Sequence, residues 1–112
     1  MKLFVPPLGT RLRLTKTWNF RLHCEERNRT LWNLRSVIPM ERIPYAVRRS
    51  NFSDICLHEM DELIIDRIFI RKGSDMYNSV TFRALVKDTG LFHAVRFWVE
   101  LKDANNIECE VI

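Results

Sequence analysis

The side chains in this sequence best suited to nucleophilic or metal chemistry are its cysteines and histidines. Cys56 and His58 lie two positions apart, so both would point to one face of a strand. A thiol beside an imidazole suits nucleophilic catalysis, whereas a zinc site usually has two close ligand pairs, and this single pair is loose. The other residues of these types are Cys24, Cys109, His23 and His93. We therefore predict no metal site and no catalytic residues, and interpret the cysteines as small core hydrophobes.

Glycine-rich loops that cradle phosphates are missing from the sequence. Its three glycines, Gly9, Gly73 and Gly90, are far apart and lie at predicted turns. A phosphate-binding loop needs glycines at short spacing, so that successive backbone N–H groups face the ligand. The sequence therefore predicts a protein without a cofactor that is not an enzyme. An enzyme is the third hypothesis, because a catalytic site can be assembled from distant positions without a motif.

The basic residues form a second group of candidate functional side chains. The 112-residue chain has a net charge of +4, and thirteen of its eighteen basic residues are arginine. Residues 1–50 contain eleven basic and three acidic side chains, a net charge of +8, and residues 51–112 contain seven and eleven, a net charge of −4. The two parts either complement each other within the fold or leave an arginine-rich face for an acidic protein or a nucleic acid.

Two sets of exposed side chains are predicted to bind a partner. Arg11, Arg13 and Arg21 are expected to lie in a row on the outer side of the first two strands. Arg96 and Trp98 share the outer side of a later strand. Arginine beside an aromatic ring is typical of surfaces that bind single-stranded nucleic acid and of protein-binding hot spots. In the alternative, the predicted helix packs over Trp98 and buries it.

The longest predicted elements form a central hairpin within residues 62–82. The isoleucine-rich segment 63–70 predicts a strand, and residues 72–75 predict a turn. The apolar residues of that segment do not alternate cleanly, which indicates either a strand covered on both faces or a bulge near Asp66. The Asp66 carboxylate would need a partner such as Arg83 on the returning strand. The predicted inward positions of the returning strand are Val80, Phe82, Ala84 and Val86.

The rest of the chain also predicts short strands, with one helix. Residues 11–14 and 18–24 are expected to form a first antiparallel pair, joined by residues 15–17. Residues 25–34 predict a helix, because acidic residues begin it and arginines lie toward its end. Further strands are expected at residues 45–49, 52–58, 94–102 and 107–111, with turns at 6–9, 88–90 and 103–106. The inner face of the first pair would consist of Leu12, Leu14, Trp18, Phe20 and Leu22.

Together these patterns predict a single domain over residues 1–112 that is mainly β. The expected architecture is a small antiparallel barrel or rolled sheet, SH3-like or OB-like in size, with one short helix after the first hairpin. No apolar run reaches the roughly 18 residues that a spanning helix needs, and the first seven residues are too short and proline-broken for a secretory signal. The three widely spaced cysteines are typical of a reducing compartment, so we expect a soluble, cytoplasmic protein.

Several segments resemble small uncharacterised accessory proteins of tailed bacteriophages. They are Val5-Pro6-Pro7-Leu8-Gly9-Thr10 with Trp18, Asp66-Arg67-Ile68-Phe69-Ile70-Arg71-Lys72-Gly73, Asn78-Ser79-Val80-Thr81-Phe82, Arg96-Phe97-Trp98-Val99 and Asn106-Ile107-Glu108. The likeness spans most of the chain, and its motifs have no known chemistry. It implies a short phage protein, made inside a bacterium, that binds and inhibits or redirects a host or defence protein.

Two functions follow as hypotheses from the sequence. The first is a non-enzymatic protein-binding module, for which the resemblance implies a phage-encoded inhibitor. Its predicted binding residues are Arg11, Arg13, Arg21, Arg96 and Trp98. The alternative is a small β-barrel that binds nucleic acid with its arginines and an exposed Trp98. The expected partner is a host or defence protein, and no membrane is expected. The oligomeric state stays open, because an unpaired sheet edge could pair with a second copy to form a homodimer.

Overall fold

The structure, a computed structural model, describes residues 7–70 and 78–112, and this part of the chain is mainly β, as predicted. The strands are β1 (Arg11–Leu14), β2 (Trp18–His23), β3 (Phe52–Leu57), β4 (Glu62–Phe69), β5 (Ser79–Asp88), β6 (Leu91–Glu100) and β7 (Cys109–Val111). The helices are α1 (Arg29–Arg35) and α2 (Leu101–Ala104), and 3₁₀ turns span Glu26–Asn28, Met40–Arg42 and Tyr45–Ser50. The predicted turn at residues 72–75 lies outside the described residues.

The strands form two antiparallel sheets. The larger sheet has the order β6-β5-β4-β1-β7, and the smaller sheet pairs β2 with β3. Within the described ranges β6 and β7 are the two edges of the larger sheet, so the strands do not close into the predicted barrel. The predicted first hairpin is also wrong, because β1 pairs with β4 and β7, whereas β2 pairs with β3. Residues 15–17 instead lead the chain from one sheet to the other, so that the apolar faces of β1 and β2 both contribute to the core.

The core lies between the two sheets and is built around aromatic rings. Phe20 of the smaller sheet stacks on Phe97 of the larger one, with ring centroids 5.5 Å apart, and Trp18 meets Phe82 edge to face at 5.7 Å. Such pairs add to the free energy gained by burying the rings. All inward positions predicted for β1, β2 and β5 are buried. The period-two alternation therefore identified the core correctly although it misassigned the strand pairing.

A bulge interrupts the central strand β4. The pairing register with β5 shifts between Ile65 and Arg67, which leaves Asp66 as the extra residue. Before the bulge Leu63 and Ile65 are fully buried, and Ile64 faces outward. Of the two predicted alternatives, the structure therefore shows the bulge near Asp66, which changes the phase of the β4 side chains that follow it.

The predicted helix after the early strands is a 3₁₀ turn, Glu26–Asn28, that continues into α1. Leu31 and Trp32 of α1 are buried in the core. Asn28 covers the edge strand β6, because its side-chain oxygen accepts a hydrogen bond from the backbone N–H of Trp98 at 2.8 Å. An edge strand protected in this way cannot pair at that position with another chain.

Two other predicted elements differ in the structure. The strand predicted at residues 45–49 is a 3₁₀ turn with no buried residue, so no apolar face is present to hold a strand against the core. The strand predicted over residues 94–102 ends at Glu100, where α2 begins and replaces the predicted turn. No helix in the described part of the chain is both long and apolar enough to cross a bilayer.

Candidate binding face

The side of the larger sheet that faces away from the core carries the candidate site, and we call it the outer face. Cross-strand pairing places Arg11, Ile64, Arg83 and Arg96 side by side across β1, β4, β5 and β6. Successive outward residues extend this row along each strand, since side chains alternate between the faces of a sheet. The outer face thus combines arginines with apolar side chains.

An apolar cleft of about 720 Å³ occupies one end of the outer face. Ile64, Leu85 and Phe92 line it with 38%, 56% and 67% of their surface exposed. Met60, at the turn before β4, borders the cleft and has a φ of 79°, a conformation that costs energy for a residue with a side chain. Scattered exposed apolar residues are normal, but a contiguous group on one sheet face is typical of an interaction site.

Ion pairs hold the arginines that border the apolar cleft. Arg11 lies 3.2 Å from a Glu62 oxygen. Arg83 and Arg96 both reach the Asp66 carboxylate, at 3.4 and 2.9 Å. The predicted Asp66–Arg83 pair is therefore confirmed, and Arg96 is a second partner. These contacts position the guanidinium groups and offset most of their charge.

A second depression, the arginine pocket, lies toward the other end of β4 and has a volume of about 420 Å³. Its lining residues are His23, Cys24, Glu25, Arg27, Arg48, Arg49, Arg67, Phe69, Ser79, Thr81 and Trp98. Among these described lining residues, four are arginines and one, Glu25, is a carboxylate. A smaller depression of about 120 Å³ shares Arg27 and Arg67 with the arginine pocket and Arg96 with the apolar cleft, so it lies between them. The outer face is consequently continuous from the cleft to the pocket.

The four arginines of the pocket differ in how they are held. Arg27 donates two hydrogen bonds to Glu25, at 2.9 and 3.1 Å. Arg48 donates to the carbonyl oxygens of Ile43 and Met40, both at 3.0 Å, which orient it without neutralising its charge. The side chains of Arg49 and Arg67 form no hydrogen bond or ion pair within the described ranges 7–70 and 78–112. The pocket therefore contains an excess of positive charge.

Glu25 is the counterion within the arginine pocket. Burial alone would raise the pKa of its carboxyl, but hydrogen bonds from Arg27 and Trp98, together with the charge of Arg27, outweigh burial and leave that pKa below its usual value. Glu25 is therefore ionised at neutral pH and compensates Arg27 alone.

Trp98 is half-buried and lines both the arginine pocket and the smaller depression. Its indole N–H donates to Glu25, His23 stacks on its ring at 4.8 Å, and the Arg27 guanidinium lies over the ring at 5.6 Å. Part of the predicted helical segment therefore covers Trp98, as the alternative expected. The covering part is the 3₁₀ turn that contains Arg27. A base could stack on this ring only if one of these neighbours moved.

The five residues predicted to bind a partner are divided between the sheets. Arg11, Arg96 and Trp98 lie at the outer face, as described. Arg13 is on the same side of the larger sheet, 3.3 Å from Glu110. Arg21 belongs to the smaller sheet, where its guanidinium lies 4.2 Å from the centre of the Phe52 ring. The predicted row of Arg11, Arg13 and Arg21 is therefore wrong, because β1 and β2 belong to different sheets.

The cysteines and histidines are dispersed. The Cys56 sulfur lies 4.0 Å from Nδ1 of His58, and buried His23 contacts Glu100 at 3.0 Å. Burial raises the pKa of the Cys24 and Cys109 thiols, which disfavours their reactive thiolate forms. Among the residues that the structure describes, no three His, Cys, Asp or Glu side chains are grouped so that they could hold a metal ion.

The sequence reading missed most of the residues that form the two depressions. Ile64 and Leu85 lie in predicted strands at outward-facing positions. Apolar residues at such positions, beside charged ones, were the signal in the sequence that could have indicated an apolar surface. Arg48 and Arg49 are adjacent in the chain, but they reach the site only because the 3₁₀ turn Tyr45–Ser50 packs near β4 and β6.

No family model, curated protein or solved structure matches this chain. The phage resemblance and the functions connected with it therefore stay predictions.

Proposed function

We propose that the protein is a non-enzymatic binding module that holds a partner protein on its outer face. The observation that supports this proposal is the continuity of the apolar cleft with the arginine-lined depressions. Protein interfaces commonly have an apolar centre and a polar rim enriched in arginine. The outer face has both parts next to each other.

The apolar cleft would supply most of the binding energy. Leu85 and Phe92 are more than half exposed, so a partner can remove a large part of their surface from water. Full burial of such a side chain is worth about 1.5–3 kcal/mol. A partner side chain inserted between them would therefore act as the central anchor.

Charge complementarity limits the partner to one with acidic side chains beside its apolar anchor. Of the described residues, seven arginines and no lysine line the three depressions, against the lining carboxylates Glu25, Asp61 and Glu62. Arginine binds carboxylates through two parallel hydrogen bonds, and it is more weakly hydrated than lysine, so it suits a desolvated contact. In line with the phage resemblance, we propose that this partner is a host or defence protein in the bacterial cytoplasm.

Nucleic-acid binding is the second candidate function. The excess of arginine over carboxylate in the arginine pocket favours it, because phosphates would neutralise Arg48, Arg49 and Arg67. The contacts of Trp98 with His23 and Arg27 argue against the stacking platform expected from the sequence. Binding of this kind would weaken steeply with salt, unlike binding centred on the apolar cleft.

A capture experiment with matched variants tests the proposed function. Immobilised wild-type protein, Leu85→Asp and Val37→Asp are compared for the proteins that they retain from a bacterial lysate. Val37 is 97% exposed and does not line the cleft, so its variant controls for the added charge. We expect retention of an acidic protein by the wild type and by Val37→Asp, with loss in Leu85→Asp.

Equal retention by all three proteins would contradict the proposed surface. Circular dichroism and urea unfolding verify that Leu85→Asp is folded, which its exposed position allows. Light scattering shows whether the face binds a second copy of this chain instead. A wild-type dimer that Leu85→Asp converts to a monomer would replace the acidic partner with self-association.

A further inference from the structure

We propose that the arginine pocket is a binding site for a small organic phosphate of nucleotide size. This inference goes beyond the partner-binding function, since it depends on Arg48, Arg49 and Arg67 and not on the apolar cleft. The pocket volume of about 420 Å³ lies within the range of about 300–1,000 Å³ that is typical of small-molecule sites.

The bulge in β4 places one of these cations at the pocket. Ile64 faces outward, so uninterrupted alternation would point Asp66 outward and Arg67 toward the core. The register shift between Ile65 and Arg67 instead pairs Arg67 with Thr81 and leaves its side chain exposed. A bulge that redirects a side chain in this way is a common feature of functional sites.

Arg48 is oriented before any ligand binds. Its Nε–H and one Nη2–H donate hydrogen bonds to backbone carbonyl oxygens at 3.0 Å. The other N–H groups of the guanidinium are not used in these two bonds and can donate to a ligand. Carbonyl oxygens fix the side chain and preserve its positive charge. The conformational entropy lost when a ligand binds is therefore reduced.

The charge of the pocket matches a phosphate better than a carboxylate. Glu25 compensates Arg27, so Arg48, Arg49 and Arg67 remain as three cations without a lining carboxylate of their own among the described residues. A phosphomonoester has a charge of about −1.5 to −2 at pH 7 and three strong acceptor oxygens. One side-chain carboxylate would neutralise only a third of this excess.

Other lining groups suit the organic part of such a ligand. The hydroxyls of Ser79 and Thr81 can donate or accept hydrogen bonds. Phe69 lines the same pocket and is half-exposed, so an aromatic side chain lies beside the cations. A planar base next to a phosphate fits this combination, and we therefore take a nucleotide as the probe.

Isothermal titration calorimetry with AMP and adenosine at low salt tests the inference. We expect AMP to bind and adenosine not to bind, because the phosphate supplies the attraction. Arg49→Gln and Arg67→Gln should each weaken AMP binding about tenfold or more, since each removes a charge-assisted contact. Arg42→Gln is the matched control, because Arg42 is an exposed arginine that does not line the pocket.

Three results would overturn the inference: no AMP binding at millimolar concentration, equal binding of adenosine, or equal losses in Arg42→Gln and the pocket variants. A 5′-phosphorylated oligonucleotide and its 5′-hydroxyl counterpart distinguish the source of the phosphate. Tighter binding of the phosphorylated strand than of AMP assigns the pocket to a nucleic-acid end, and equal or weaker binding assigns it to a free nucleotide. Leu85→Asp should bind AMP normally, so failure of the partner proposal would leave this result unchanged.

Discussion

The two ends of the outer face use arginine in different ways. At the apolar cleft Arg11 is paired with Glu62, and Arg83 and Arg96 share Asp66. Among the described residues of the arginine pocket, Arg27 alone is paired with a carboxylate, that of Glu25. The comparison shows that a count of arginines does not describe a binding surface. Paired arginines border and orient an apolar contact, whereas unpaired ones attract an anion.

Added salt should affect ligand affinity very differently at the two ends of the outer face, and this is the largest effect that we expect. Raising ionic strength from about 0.05 to about 0.5 M shortens the screening length several-fold, so we expect AMP affinity to fall about tenfold or more. Affinity for the captured partner should change less, since apolar burial is insensitive to added chloride salts at this level. Parallel titrations at both salt concentrations measure the difference. Equal salt dependence at the two sites would contradict the assignment of different forces to them.

Asp66→Asn should leave Arg83 and Arg96, which border the apolar cleft, without their carboxylate partner. Arg83 and Arg96 lie directly opposite each other in the β5–β6 register, so without the carboxylate their like charges oppose each other. We expect the free energy of unfolding to fall by about 1 kcal/mol, measured by urea denaturation. Partner binding should also become more dependent on salt. Asp54→Asn, at an exposed position of β3, is the control and should change neither property.

Glu25→Gln should increase the difference between the two ends, because it removes the Glu25 carboxylate from the lining of the arginine pocket. The pocket gains a net positive charge, and we expect AMP to bind about threefold more tightly at pH 7.5. Calorimetry measures this change. Glu108→Gln is the control, because Glu108 pairs with Lys16 and neither residue lines the pocket. Unchanged or weaker AMP binding in Glu25→Gln would show that the charge of Glu25 does not oppose the ligand.

The same variant has an expected effect on acid stability. The pKa of Glu25 is lowered in the folded protein, so its stabilising contribution is complete above the ordinary glutamate pKa of about 4.3 and is lost as pH falls through the lower folded value. Urea unfolding from pH 6 to pH 3 should therefore show a smaller decline in Glu25→Gln than in the wild type. An identical decline would contradict the contribution of Glu25.

Met60→Gly should have the smallest effect. Met60 has a positive φ, and its backbone N–H donates to the Leu14 carbonyl at 2.9 Å, so the turn is held in this conformation. Glycine accepts that φ without strain, and we expect a gain of about 0.5 kcal/mol in the free energy of unfolding. Met60→Ala keeps the strain and serves as the control. Both variants should lower partner affinity, and an equal gain in stability by Met60→Ala would contradict backbone strain at the cleft.

Much of the fold could be predicted from local patterns. The alternation in β1, β2 and β5 identified their buried residues, and the broken alternation in β4 located the bulge at Asp66. The helical segment after β2 was also identified. The pairing of β1 and β2 could not be predicted, because alternation shows which face of a strand is buried and not which strand lies beside it.

The candidate site was predicted only in part. Arg11, Arg96 and Trp98 were singled out and lie at the outer face, while Arg21 belongs elsewhere. The cleft and pocket were missed, since their residues come from distant segments whose contacts no sequence window contains.

By itself the sequence determined composition, charge and the inward or outward phase of most strands, because these depend on each residue and its near neighbours. The tertiary structure decided which arginines meet carboxylates and which do not. Arg83 and Arg96 meet at Asp66 through strand register. Arg48 and Arg67 line the same pocket because one lies on a 3₁₀ turn near β4 and the other follows the bulge. Register and packing depend on the whole core, so the binding properties of each arginine become visible only in the folded chain.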